Sequence, residues 1–255
     1  MRLIRSVLFL LFMALTVVPY GVLCLLCAPL PRRTRFRITV GYPRAVLYAG
    51  RVLCGMRWRV LGLENLPDGP AILLSKHQST WETFFLVAQM PREMCFVFKR
   101  ELLRIPFFGW GMALLDMIHI DRTNSRDAFE QVVLQGGRKL AEGRWIVMFP
   151  EGTRTPVGAQ GRYKSGGARL AIRTGVPVVP IAVDAGACWP KRGIVKHPGL
   201  ITVSIGRPIS SAGTTPDALT DEVERWIEAE MRRIAPQHYA DERPAAPAVT
   251  EPSAP

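Results

Sequence analysis

The residues equipped for chemistry sit directly after short apolar runs. AILLS is followed by Lys76 and His77, MCFVF by Lys99, Arg100 and Glu101, and WIVMF by Pro150, Glu151, Gly152, Thr153 and Arg154. A histidine within reach of a hydroxyl can take its proton at neutral pH. Arginine offers a planar fork that bonds two phosphate oxygens at once, and lysine adds a compact charge. Each residue alone has an ordinary explanation, as a solvated surface side chain or, for the glycine, a turn. Gathered in one place, they provide a proton acceptor beside a binding site for negative charge.

Glu82 lies five positions after His77. Ser79-Thr80-Trp81-Glu82 has the S-x-x-E form of a capping box, in which the carboxylate bonds a backbone N–H at a helix start. It has a second reading, as the partner of the imidazole. Residues five apart in a helix point about 140° from each other, so this pairing requires His77 to sit in the turn before the helix.

The elements that position these residues are legible as alternating patterns. Strands are expected at 71–75, 94–98, 145–149, 177–183 and 200–205, and helices at 80–90, 125–142 and 165–174. Such alternation predicts an α/β fold, a single mostly parallel sheet flanked by helices. In such sheets ligands gather beyond the carboxyl ends of the strands, which is where His77, Lys99 and Glu151 to Arg154 fall. Residues 38–60 read as an amphipathic helix, and 216–234 as a final helix with Leu219, Val223, Trp226, Ile227 and Met231 on one face. The expected organisation is a membrane anchor with a basic flank at 1–37, an α/β domain at 38–235 and a disordered tail at 236–255.

The anchor is predicted from residues 6–30, which carry no charge and are long enough to cross a bilayer. Pro19 and Gly21 interrupt it, so it spans with a kink or folds back as two short helices in one leaflet. Arg32, Arg33, Arg35 and Arg37 follow at once, which predicts a cytoplasmic domain on the inner or plasma membrane and contact with an anionic membrane surface.

The net charge of +12 fits an anionic partner. Basic residues are not clustered with stacking aromatics, and no nucleic-acid module is recognisable, so nucleic acid is not the expected partner. Five scattered cysteines argue for a reducing compartment, and Cys24-x-x-Cys27 has no second ligand pair nearby, so no metal is expected. There is no GxSxG elbow, no GxGxxG turn and no phosphate loop, since GAQGRYKS lacks the glycine before its lysine.

HQSTWE at 77–82, KREL at 99–102 with Pro106 and Gly109 beyond, FPEGTR at 149–154 and VPVVP at 176–180 resemble the four successive motifs of glycerolipid acyltransferases of the lysophosphatidic acid acyltransferase type. The match in order and spacing spans about residues 70–210. Two departures stand out: the family usually has Asn before the histidine and Asp five after it, where this chain has Lys76 and Glu82. The resemblance implies a lysophospholipid acceptor, with acyl-CoA or acyl-carrier-protein as donor co-substrate and no cofactor. It implies His77 as the base, Glu82 as its carboxylate partner, and Lys99 and Arg154 on the acceptor phosphate. Glu151, Gly152 and Thr153 complete the implied substrate-binding set. Acylation of another acceptor, such as glycerol 3-phosphate or a lyso-aminolipid, uses the same machinery. A non-catalytic protein that binds acidic lipid is the alternative from another class.

Overall fold

The computed structural model describes residues 1–105, 108–120 and 125–239. Its helices are α1 (Arg2–Leu26), α2 (Arg32–Thr39), α3 (Gly41–Cys54), α4 (Trp81–Gln89), α5 (Phe108–Leu114), α6 (Ser125–Ala141), α7 (Gly166–Thr174) and α8 (Pro216–Ile234). The strands are β1 (Met56–Leu61), β2 (Ile72–Ser75), β3 (Met94–Lys99), β4 (Ile118–Ile120), β5 (Trp145–Met148), β6 (Val178–Val183) and β7 (Gly199–Ile205). They form one seven-stranded sheet in the order β1-β7-β6-β2-β5-β3-β4. Every pairing is parallel except β6 with β7.

The central strands are buried over their whole length, as expected of strands covered on both faces. β2 lies between β5 and β6, and β5 between β2 and β3. The carboxyl ends of these four parallel strands therefore share one edge, to which β2, β3 and β5 bring the expected site residues. The expected disordered tail at 236–255 lies mostly outside the described residues. Within them, Pro236–His238 forms a 3-10 turn and Tyr239 is buried.

The expected helix over 38–60 is corrected at its second half. α3 stops at Cys54, where Gly55 takes a left-handed φ of 72° and its N–H bonds Arg51 O. Residues 56–61, MRWRVL, alternate apolar and basic side chains with the period of a strand, and they pair with β7 as an edge strand. Strand β4 and helix α5 were not anticipated.

α1 is continuous through Pro19, at the loss of one backbone hydrogen bond. The chain then returns antiparallel beside it. Arg5 donates to Val52 O at 3.3 Å, the Tyr42 hydroxyl donates to Met13 O at 3.2 Å, and the Tyr20 and Tyr42 rings lie 5.2 Å apart. α1 is also docked on the domain. Phe9 is fully buried with its ring edge-on to Trp189 at 5.2 Å, and Ser6 Oγ accepts from the Lys196 N–H at 2.8 Å.

At the end of β6, burial pushes the Asp184 carboxyl from its ordinary 3.8 up to about 6, against the Thr202 N–H, its own backbone N–H and Arg59, which favour the charged form. The folded-state value exceeds the unfolded one, so the native chain holds an extra proton between about pH 4 and 6, and stability falls as pH rises through that window. Asp184→Asn is expected to flatten this slope in denaturant titrations across pH 4 to 7, while the wild type keeps it.

Candidate active site

His77 occupies the turn between β2 and α4, as the pairing with Glu82 requires. Glu82 is fully buried, and its Oε1 accepts from His77 Nδ1 at 3.0 Å, the Gln78 N–H at 2.7 Å and the Ser79 N–H at 2.6 Å. Ser79 Oγ in turn accepts from the Trp81 N–H at 3.0 Å. The capping and imidazole readings of Glu82 are thus a single arrangement. An ionised carboxylate only accepts, so Nδ1 carries the proton and Nε2 is left as the basic atom. Nε2 makes no hydrogen bond to protein among the described residues. The imidazole stacks on Phe149, with ring centroids 3.9 Å apart.

Residue 77 is held from behind as well. Its backbone N–H donates to Glu151 Oε2 at 2.8 Å, and its carbonyl accepts from the Thr155 N–H at 2.7 Å and the Thr155 hydroxyl at 3.1 Å. Glu151 Oε1 accepts from the Thr155 hydroxyl at 3.1 Å and pairs with Lys76 Nζ at 2.8 Å. Lys76, wholly buried, also pairs with Glu228 of α8 at 2.7 Å and donates to Ala159 O at 3.1 Å. Tyr163 donates to the same Glu228 oxygen at 2.9 Å. Burial pushes the Glu151 carboxyl above its ordinary range, and Lys76 with these hydrogen bonds pulls it back. Glu151 therefore faces this buried network and does not line the cavity below. It braces the His77 turn from inside.

In front of His77 opens a cavity of about 1230 Å³. Its walls are largely apolar, with Leu10, Met13 and Val17 of α1, Phe84 of α4, and Phe96 and Phe98 of β3 among them. Its polar lining includes His77, Gly152, Thr153, Arg154 and Lys164. Arg154 donates to Thr80 Oγ1 at 3.0 Å, which fixes the guanidinium beside the histidine turn. Gly152 has a φ of 68°, and a Cβ there would come within 3.0 Å of Lys164 Nζ. Glycine at 152 thus provides the left-handed turn and leaves room for that ammonium.

His77, Glu82, Gly152, Thr153 and Arg154 accordingly meet at one edge, as expected. Lys99 ends β3 at the same edge, but its side chain lies outside the described residues, as does Pro106. Lys164 was missed because it belongs to a loop rather than a strand end. Lys76 was noted in the sequence without a partner, since Glu228 lies 152 positions away.

Comparisons with known proteins identify the family. An acyltransferase family model matches residues 57–184. The chain is 45% identical over 238 residues to the 1-acyl-sn-glycerol-3-phosphate acyltransferase of Pseudomonas aeruginosa, covering 91% of this chain and 92% of that one. It is 30% identical over 199 residues to the human 1-acyl-sn-glycerol-3-phosphate acyltransferase alpha, covering 75% of this chain and 70% of the relative. The crystal structure of the 1-acyl-sn-glycerophosphate (LPA) acyltransferase PlsC from Thermotoga maritima superposes with a TM-score of 0.76 at 23% identity, covering 96% of this chain and 98% of that one, and so shares the fold.

Removing the buried cation at residue 76 leaves Glu151 and Glu228 facing each other unpaired. Lys76→Met is expected to cost about 3–5 kcal/mol in denaturant unfolding. Adding Glu228→Leu should recover part of that loss, giving a non-additive double-mutant cycle. An unchanged unfolding midpoint in Lys76→Met would show that the pair is not a brace.

Proposed function

Because the chain belongs to the acyltransferase family, with close relatives among the 1-acyl-sn-glycerol-3-phosphate acyltransferases, we propose that it transfers a fatty acyl group from an acyl thioester to the free sn-2 hydroxyl of lysophosphatidic acid, forming phosphatidic acid. The observation that carries this reading is His77 at the wall of a large apolar cavity, its Nδ1 fixed by Glu82 and its Nε2 unengaged among the described residues.

In this reading the acceptor hydroxyl gives its proton to His77 Nε2 as its oxygen attacks the thioester carbonyl. Glu82 stabilises the imidazolium as it forms and keeps the ring in the required tautomer. The C–S bond breaks, and the departing thiolate takes the proton back. No covalent enzyme intermediate and no cofactor is needed. The donor, acyl-CoA or acyl-carrier-protein, is a co-substrate. The apolar cavity suits an acyl chain, since each buried methylene contributes about 0.8 kcal/mol. Arg154 and Lys164, with Lys99 at the same edge, suit the acceptor phosphate.

α1 is apolar enough and long enough to cross a membrane by composition and length, and its outer stripe, Ile4, Leu8, Leu11, Leu15, Val18 and Val22, is exposed. That stripe favours contact with lipid. The arginines of α2 favour an anionic inner or plasma membrane surface, with the domain on the cytoplasmic side.

A labelled acyl donor offered with a panel of acceptors tests the assignment, with lysophosphatidic acid expected to be the best. His77→Ala is expected to lower kcat by roughly 100- to 10,000-fold with lysolipid binding retained; retention of a tenth of the rate would exclude it as the base. Glu82→Gln should lower kcat strongly, and Glu82→Asp should recover part of it. Arg154→Ala should raise the KM for acceptors with phosphate far more than for those without.

A further inference from the structure

A second pocket of about 600 Å³ lies at the opposite edge of the sheet from His77. Glu93, just before β3, and Gly143 and Arg144, just before β5, place it at the amino ends of those strands. Six arginines and two glutamates line it. The acids are already engaged. Arg32 pairs with Glu93 at 2.9 Å and with Glu142 at 3.4 Å, and Arg144 lies 3.7 Å from Glu142.

Arg144 also pairs with Asp116 at 3.2 Å, whereas Arg33, Arg37, Arg44 and Arg92 have no carboxylate partner among the described residues. Arg33 and Arg37 are exposed and make no ion pair, while Arg44 and Arg92 donate only to backbone carbonyls. Arg144 is 2% exposed, and its Nε–H has no acceptor among the described residues. A buried guanidinium N–H without a partner is costly to leave unmade. An anion in the pocket would also offset the unpaired charges around it.

The rest of the lining indicates what kind of anion fits. Phe36, Val40 and Val87 are shared between this pocket and the apolar cavity, and Met90 adds to the same wall. Leu26 and Leu30, just before α2, are exposed. A small soluble phosphate would use the arginines and leave the apolar wall unused. A phospholipid uses both, with its head group among the guanidinium forks and its chains beside the apolar end of α1.

We propose that this arginine pocket is a second lipid site, separate from the acyl-transfer site, that takes the phosphate-bearing head group of an anionic membrane phospholipid. It extends the reading of α1 as a lipid-facing helix and is independent of the assignment of His77. Docked there, a head group fixes the depth and tilt of the protein on the bilayer.

The test uses the full chain and flotation with phosphatidylcholine vesicles, with or without phosphatidylglycerol. Near an anionic surface each arginine contributes about 1 kcal/mol, so Arg33→Gln with Arg37→Gln is expected to weaken binding to the anionic vesicles by about 30-fold. Turnover of detergent-dispersed lysophosphatidic acid should stay within about twofold of wild type, which separates failure of this site from failure of the catalytic reading. The control pair Arg207→Gln with Arg225→Gln, exposed elsewhere on the domain, should bind as wild type. Arg33→Lys with Arg37→Lys keeps the charge and loses the planar forks, and should fall between wild type and the Gln pair.

Three results would each overturn the proposal. Equal loss in the control pair would mean diffuse charge attraction. Wild-type binding by the Lys or the Gln pair would mean that no built site exists. Displacement of the protein from anionic vesicles by inorganic phosphate at matched concentration would identify a free-phosphate site.

Discussion

The turn that carries His77 depends on two buried carboxylates that grip residue 77 from opposite sides. Glu82 holds the imidazole Nδ1, and Glu151 holds the backbone N–H of the same residue. Isolated carboxylates in such a place would be strongly penalised. Glu82 is offset by two backbone N–H groups at the start of α4 in addition to the imidazole, and Glu151 by Lys76. Lys76 in turn carries Glu228, so the final helix is tied to the His77 turn through one ammonium. The histidine's orientation is therefore a property of β2, α4, the loop after β5 and α8 together.

That dependence explains why part of the site was legible in the sequence and part was not. His77, Gly152, Thr153 and Arg154 could be placed because short buried strands announce themselves, and a parallel sheet puts the chemistry beyond their carboxyl ends. For Glu82 the local spacing left two readings, a helix cap and a partner of His77, and it was the family resemblance that favoured the pairing. The role of Glu151 was not visible, since a carboxylate next to a glycine at a strand end looks the same facing a substrate or facing inward. Its true partner is set by Lys76 and by the path of residues 151–155 behind the histidine, which are tertiary facts. Glu228 carried no local signal, since its spacing within an amphipathic helix resembles that of any solvated glutamate until α8 docks.

The misreading of 56–61 has a similar origin. Arg57 and Arg59 alternate with Met56, Trp58 and Val60, a strand period that a helical window beginning at 38 absorbs. Gly55 marks the boundary through its left-handed backbone, and β7, almost 150 residues later, provides the pairing that makes the segment a strand. Edge strands of this kind are set mainly by the partner they find.

The N-terminal helix joins the chemistry to the lipid phase. An α-helix apolar on all sides is either buried in protein or meant for lipid, and α1 is divided between the two. Leu10, Met13, Ala14, Val17, Gly21 and Cys24 recur at steps of three and four and line the cavity in front of His77. Ile4, Leu8, Leu11, Leu15, Val18 and Val22 recur in the same way and are exposed. The segment that reads as an anchor is thus also a wall of the cavity in front of His77. The docking of Phe9 on Trp189 and of Ser6 on Lys196 ties that wall to the domain. A helix that merely tethered the chain would need neither contact, and it would leave the cavity open on the side where α1 now closes it. The two faces of one helix therefore settle two requirements at once, an apolar enclosure beside His77 and an apolar surface outside it.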